Sequence, residues 1–248
     1  MNDALYLRAV GVTAAAQPDY SFSLPAVRAL ARMGRLQLEK PVTFLVGENG
    51  TGKSTLLEAI AAAWGFNPEG GTRNFCFSTA RTHAELYRAL VLQRGARRPR
   101  DGFFLRAESF YNVATEIERL ELEDAYGGRS LHAQSHGESF LSLVLNRFSG
   151  NGLYLLDEPE AALSAARQLA LLAALDELVH KSSQLLIATH SPLLLAYPDA
   201  DIFVLSEHGI EKTPYRQTEP YLLTKRFLDA PERMLGELLE PGREPAAE

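Results

Sequence analysis

The sequence predicts an α/β fold with a mainly parallel sheet that is covered on both faces. Apolar runs at residues 41–46, 153–156 and 185–188 lack the alternation of a half-exposed strand, and helical patterns separate them. A glycine-rich segment joins the first of these strands to an amphipathic helix. Strands and helices in this order favour parallel strands with helices on either side. We also expect an antiparallel β element at the amino end and a small helical lobe at about residues 109–149.

The individual elements follow from periodicity and from helix-ending residues. The predicted strands cover residues 5–12, 41–46, 103–107, 153–156 and 185–188. The predicted helices cover residues 53–64, 83–93, 112–124 and 165–180, with a further helix starting near 137. Gly65 predicts the end of the first helix. The pair Ser191-Pro192 predicts one more helix start, with Ser191 as the capping residue.

Composition places the chain among globular proteins. Its 248 residues are 46% hydrophobic and 23% charged, which argues against a disordered, collagen-like or fibrous chain. The length predicts one domain at 1–240, and the last residues, 241–248, are expected to form a flexible tail. Apolar runs are too short for a membrane span, and the amino end does not resemble an export signal. The single cysteine, Cys76, fits a cytoplasmic location.

Charge is unevenly distributed. The net charge of −6 argues against broad, nonspecific adhesion to nucleic acid or anionic lipid. Four arginines nevertheless cluster in a segment that Gly95 and Pro99 predict to be a loop. We call them the basic loop: Arg94, Arg97, Arg98 and Arg100. A solvated surface or a docking site for an acidic partner is favoured over nucleic-acid binding, because no aromatic residues are interleaved for base stacking.

A phosphate-binding loop is the strongest motif. The pattern GxxxxGKS is formed by Gly47, Glu48, Asn49, Gly50, Thr51, Gly52, Lys53 and Ser54. It lies between a strand and a helix, so that successive backbone N–H groups and the helix dipole can bind phosphate. Lys53 is expected to reach the β- and γ-phosphates, the Ser54 hydroxyl to bind Mg²⁺, and Thr55 to complete the binding segment. The flanking elements make a chance glycine-rich turn a poor alternative.

A pair of acids follows the apolar strand at 153–156. Asp157 is expected to hold Mg²⁺, and Glu158 to accept a proton from the attacking water. Side chains alternate along a strand, so the two carboxylates can serve separate purposes. An acidic pair at this place can also be an ordinary charge cluster at a helix start. The phosphate loop in the same chain favours the catalytic interpretation.

With these two motifs, the chain resembles a stand-alone ATPase domain of the ATP-binding-cassette type, related to DNA-repair and chromosome-maintenance ATPases. Residues 134–138, QSHGE, resemble the family's LSGGQ or LSGGE signature and keep Ser135, Gly137 and Glu138. The segment around His190 resembles the family's switch histidine, which senses the γ-phosphate. The resemblance extends over roughly residues 5–205, and residues 206–248 have no assigned role.

Two segments depart from the family pattern. The D-loop, residues 160–164, ends in Ser164 where the family has aspartate, which weakens the expectation that it links two ATP sites. The Q-loop position after the strand at 103–107 has no glutamine. Glu108 is expected to replace that glutamine as a metal ligand. Only 26 residues separate Glu108 from Ser135. That length leaves no room for the long coiled-coil arms of the chromosome-maintenance relatives.

The resemblance implies a Mg²⁺-dependent ATPase that pairs head to tail around two ATP molecules. Ser135, Gly137 and Glu138 would then contact the ATP held by the other chain's Lys53. ATP rather than GTP is implied by the resemblance, and no NKxD motif for guanine is present. The favoured function is a switch that drives a partner protein. The alternatives are the energising subunit of a membrane transporter, peripheral at the inner face of the membrane, a DNA-associated repair or defence ATPase, and a non-hydrolysing scaffold.

Overall fold

The larger of two sheets contains the predicted parallel strands. The computed structural model describes residues 5–13, 19–72, 85–120 and 130–239. The strands of this sheet are β3 (Val42–Val46), β5 (Asp101–Arg106), β6 (Gly152–Asp157), β7 (Gln184–Ala188), β8 (Asp201–Leu205) and β9 (Ile210–Lys212). Their spatial order is β5-β6-β7-β3-β8-β9, and only β9 runs antiparallel to its neighbour. The carboxyl ends of β5, β6, β7 and β3 therefore meet at one edge of the sheet.

Both faces of this sheet are buried, which explains why its strands are apolar throughout. In β3, Phe44 packs into one core and Leu45 into the other. In β6, Tyr154 and Leu156 face the first core, whereas Leu155 faces the second. Successive side chains of a strand point to opposite faces, so a sheet that is covered on both sides needs apolar residues at every position.

The smaller sheet is antiparallel, as predicted for the amino end. Its central strand β1 (Leu7–Val12) pairs with β2 (Leu36–Gln37) and with β4 (Leu90–Arg94). One side chain joins it to the large sheet, because Gln184 at the start of β7 accepts from the backbone N–H groups of Tyr6 and Leu7 at 2.9 Å each. The Gln184 amide in turn donates to the Leu7 carbonyl at 2.7 Å. These bonds satisfy backbone groups that lie in the buried seam between the sheets.

The described parts of the chain contain seven α-helices beside the sheets. They are α1 (Pro25–Met33), α2 (Lys53–Trp64), α3 (Phe110–Arg119), α4 (His136–Arg147), α5 (Ala165–His180), α6 (Glu219–Asp229) and α7 (Pro231–Leu239). Helices α1 and α2 pack on the face shared with the small sheet, and α3, α4 and α5 cover the other face. Helices α6 and α7 have no buried residues. Within the described ranges, no helix has the length and apolar character needed to cross a membrane.

The predicted fold class is confirmed, and two helix predictions need correction. Helices α2 and α5 have the predicted bounds. The helix predicted at 83–93 is wrong: a 3-10 helix, Glu85–Arg88, leads into β4, whose pairing with β1 overrides the local helical spacing. Ser191-Pro192 starts only the 3-10 helix Leu194–Ala196, although the Ser191 hydroxyl does accept from the Leu194 N–H at 3.2 Å.

The remaining predictions concern the ends of elements, the domain division and the basic loop. The helix predicted at 112–124 is observed as α3, which ends at Arg119 with Leu120 as its C-terminal capping residue. Cys76 and the tail at 241–248 lie outside the described residues. The division into one domain with an inserted helical lobe also stays a prediction. Arg94 of the basic loop is the last residue of β4, and its guanidinium lies 4.5 Å from the centre of the Trp64 ring. The other three arginines precede β5 and are exposed.

Candidate nucleotide site

The phosphate loop connects β3 to α2 at the edge where the parallel strands end. Two glycines are required there for different reasons. Gly52 precedes α2 with a φ of +96°, a left-handed conformation that disfavours residues with a Cβ. A Cβ on Gly47 would lie 2.3 Å from the Leu205 carbonyl oxygen, because the loop passes close to the end of β8. The loop conformation therefore depends on glycine at both positions.

Lys53, the first residue of α2, is turned back over the loop. Its ammonium group donates to the carbonyl oxygens of Gly47 at 2.6 Å and of Glu48 at 2.9 Å. Only 4% of the residue is exposed. Burial lowers the pKa of Lys53, and the nearby carboxylates of Glu158 and Asp157 oppose that shift. A phosphate in the loop would offer this cation a stronger partner than the two neutral carbonyls.

Ser54 and Asp157 connect the phosphate loop to the acidic strand β6. The Ser54 hydroxyl donates to Asp157 Oδ1 at 2.9 Å, across 103 residues of sequence. Burial raises the pKa of Asp157 to about 6, although the charge of Arg106 and the Ser54 hydrogen bond act in the opposite direction. A hydroxyl and a carboxylate this close are oxygen ligands of the type that Mg²⁺ uses beside phosphate oxygens. Ser54 and Asp157 therefore fit the predicted role of metal ligands.

Sequence reasoning missed Arg106, the last residue of β5. It lies directly opposite Asp157 in the parallel pairing of β5 with β6. Its guanidinium approaches three carboxylates, at 3.4 Å from Asp157 Oδ2, 2.8 Å from Glu58 Oε2 and 3.1 Å from Glu108 Oε2. The signal available in the sequence was an arginine near the end of the strand predicted at 103–107, whereas its pairing with the acidic strand is known only from the structure. The pairing supplies a positive charge beside the buried Asp157 carboxylate.

Glu108, the stand-in for the Q-loop glutamine, contacts Arg106 and is 84% exposed at its side chain. The guanidinium of Arg106 thus lies between the carboxylates of Glu108 and Asp157. No group of three or more His, Cys, Asp or Glu side chains that could hold a metal occurs in the described parts of the chain. The role of Glu108 as a metal ligand stays a prediction.

Glu158 and His190 meet beside the phosphate loop. Glu158 follows β6 with a φ of +49°, a left-handed conformation that is unusual for a residue other than glycine. His190 Nε2 lies 3.8 Å from Glu158 Oε1. An open groove beside them is lined by Glu48, Asn49, Glu158, Glu160, Ala161 and His190. The groove brings the predicted base and the predicted switch histidine to the side of the phosphate loop.

The signature residues lie at the start of α4 and bond within their own segment. Ser135 precedes α4 and forms a capping box with Glu138. Arg167 of α5 donates to Glu138 Oε1 at 2.8 Å and to the Ser135 hydroxyl at 3.4 Å. A Cβ on Gly137 would lie 2.6 Å from the Ala162 carbonyl oxygen, so glycine lets α4 approach the D-loop segment. Within the described residues, the signature contacts α5 and the D-loop segment rather than the phosphate loop of the same chain.

Comparison with known proteins defines the class of fold. A protein family described as AAA domain matches residues 26–133, which include the phosphate loop. The cbiO1 protein of Clostridium perfringens, part of the ABC transporter complex cbiONQ, superposes with a TM-score of 0.50 and 17% identity. The superposition covers 95% of this chain and 99% of that one. The chain is an α/β P-loop protein with the fold of an ATP-binding cassette.

Two further structures were found at lower scores. A nucleotide-free ATP-binding cassette from an ABC transporter has a TM-score of 0.49 and 18% identity, over 92% of this chain and 96% of that chain. The SMC head domain of Thermotoga maritima has a TM-score of 0.45 and 15% identity, over 85% of this chain and 99% of that chain. A sequence search of curated proteins finds no match.

Proposed function

We propose that this protein is a Mg²⁺-dependent ATPase that works as a head-to-tail dimer, is located in the cytoplasm and drives a partner protein. The observation that carries the proposal is the 2.9 Å hydrogen bond between Ser54 and Asp157. It joins the two motifs that ATP hydrolysis requires, a phosphate loop and an acidic strand end, into one site. Glu158 is the next residue of that strand, and His190 lies beside it.

Each side chain has a distinct part in the proposed reaction. Lys53 would leave its two carbonyl partners and neutralise the β- and γ-phosphates. Ser54 and Asp157 would hold Mg²⁺, which supplies charge neutralisation on the phosphate oxygens. Glu158 would orient the attacking water and accept its proton, and His190 would contact the γ-phosphate.

In the proposed dimer, the signature residues act in the ATP site of the other copy. Ser135, Gly137 and Glu138 would complete the ATP site of a second copy, so that ATP becomes part of the interface. Loss of the γ-phosphate after hydrolysis would weaken that interface and let the copies separate. The energising subunit of a transporter and a DNA-associated ATPase would use the same chemistry. These alternatives differ from the proposal in the partner, which copurification with a membrane fraction or with DNA would reveal.

Replacing Glu158 with glutamine tests the chemistry. Glu158→Gln keeps the size and hydrogen-bonding reach of the side chain and removes its ability to accept a proton. We expect ATP affinity within about twofold of wild type and turnover reduced by about 10²-fold or more. Size-exclusion chromatography with ATP and Mg²⁺ should show the variant as a dimer. The matched control is Glu177→Gln, an exposed glutamate of α5, which should keep the wild-type rate.

Two results would contradict the proposal. A wild-type chain that binds ATP without hydrolysing it would leave the scaffold alternative in place of the ATPase. A Glu158→Gln variant that remains monomeric at saturating ATP and Mg²⁺ would contradict the head-to-tail dimer, because trapped ATP should hold the two copies together.

A further inference from the structure

His190 is held by a carboxylate that the proposed reaction does not use. The backbone N–H of His190 donates to Glu160 Oε1 at 2.6 Å, across 30 residues of sequence. Glu160 belongs to the 3-10 helix Pro159–Ala162, directly after the proposed base Glu158. A hydrogen bond from a backbone N–H to a carboxylate is stronger than one to a neutral oxygen. Glu160 therefore supplies a strong and directional contact to the backbone that carries the switch histidine.

The buried atoms around this contact are under-satisfied. Glu160 Oε2 and His190 Nε2 are both buried, and neither has a hydrogen-bond partner within the described residues. Leaving such atoms without partners costs free energy, so the arrangement is poor as a purely stabilising device. Both residues line the groove beside the phosphate loop. The contact between Glu160 and His190 therefore lies beside the proposed nucleotide site.

A second hydrogen bond connects Ser191, the residue after His190, to α5. The Ser191 hydroxyl donates to Gln168 Oε1 at 2.5 Å, and the Gln168 amide donates to the Leu163 carbonyl at 3.1 Å. Ser164, the residue that replaces the family's D-loop aspartate, precedes α5 and its hydroxyl accepts from the Arg167 N–H at 3.4 Å. This segment therefore has its carboxylate at Glu160, whereas the family has an aspartate at the position of Ser164. The hydrogen bonds to His190 and Ser191 are thus both made by side chains of residues 160–168.

We propose that Glu160 is a positioning residue that holds His190 in place for the γ-phosphate. The inference rests on the proposed ATPase function and adds a connection between two elements of the same chain. Because Arg167 of the same segment contacts Ser135 and Glu138, the signature segment and the switch histidine of one chain are joined through residues 160–168. In the proposed dimer these two elements serve different ATP molecules.

The test compares two substitutions of Glu160. Glu160→Gln keeps an oxygen that can accept the His190 N–H, whereas Glu160→Ala removes it. Exchange of the His190 amide, followed by NMR in the nucleotide-free protein, should speed up by about tenfold in the alanine variant and much less in the glutamine variant. This measurement reports the hydrogen bond without requiring hydrolysis.

Kinetics then separate positioning from folding. We expect Glu160→Ala to lower kcat by about 10- to 100-fold, because small displacements of a reacting group are costly, while KM and ATP affinity change less than about threefold. Glu160→Gln should restore kcat to within about threefold of wild type. Glu177→Ala, on the exposed face of α5, serves as the control for loss of a carboxylate and should leave kcat unchanged.

The outcomes distinguish this inference from the function on which it rests. An active wild type together with a fully active Glu160→Ala variant would overturn the positioning role alone. A variant that loses ATP binding and thermal stability together would show a structural role instead, and would also overturn it. A wild-type chain without ATPase activity would overturn the proposed function and this inference with it.

Discussion

The raised pKa of Asp157 makes the stability of the metal-free protein depend on pH in a specific way. Burial raises this pKa from 3.8 to about 6, so the folded state holds a proton that the unfolded state releases between those values. The favourable contribution of the protonated group is complete below about pH 4 and is lost as the pH rises through about 6. The shift of about 2 units corresponds to a loss of about 3 kcal/mol in the free energy of unfolding.

The substitution Asp157→Asn removes this titration while keeping the shape of the side chain. Between pH 4.5 and 7.5, the wild type should lose about 2 of the about 3 kcal/mol, and the variant should not. The Tm of Asp157→Asn relative to wild type should therefore rise by about 4–8 °C over that range, since about 1 kcal/mol moves the Tm of a chain of this size by about 2–4 °C. Scanning calorimetry of both nucleotide-free proteins in EDTA measures this difference in Tm at each pH.

A second aspartate supplies a control of opposite sign. Burial raises the pKa of Asp101, but hydrogen bonds from Tyr154, Ser149 and Arg147 outweigh it and lower this pKa below its usual value. The stability that Asp101 supplies is fully present above its unfolded pKa of 3.8 and is lost only as the pH falls through the lower folded pKa, so Asp101→Asn should be equally harmful at pH 7.5 and pH 4.5 and less harmful only below that range. An Asp157→Asn difference that is the same at both pH values would refute the burial argument.

Two further predictions concern the proposed interface and the basic loop. Lys53→Ala should abolish ATP binding in its own chain and Ser135→Arg should block closure on the partner, so mixing the two inactive variants should restore some activity in one composite site; no recovery despite proven heterodimers would contradict action in trans. We expect no tight DNA binding by the wild type at about 0.15 M salt, where the Debye length is about 8 Å. Replacing Arg97, Arg98 and Arg100 with serine should therefore leave both ATP affinity and DNA binding unchanged. Submicromolar DNA binding by the wild type that disappears in this triple variant would show the loop to be a nucleic-acid surface. Arg94 is left in place because it packs on Trp64.

The elements that the sequence predicted best are those whose cause is local. Helices α2 and α5 carry their apolar spacing and their end signals within the segment itself. The phosphate loop is equally local, because eight consecutive residues supply the glycines, the lysine and the hydroxyl that phosphate binding requires. The acidic pair could be placed as well, since the residues that follow a buried parallel strand lie at the ligand edge of the sheet.

Tertiary structure decided the features that depend on distant residues. The segment at 90–94 became a strand because β1 was available to pair with it, and helical spacing alone could not reveal that partner. Arg106 acquired its place beside Asp157 only through the register of β5 with β6. The Glu160 contact with His190 likewise requires the ends of β6 and β7 to lie side by side. Local chemistry thus determined which groups the chain offers, and strand order determined which of them meet.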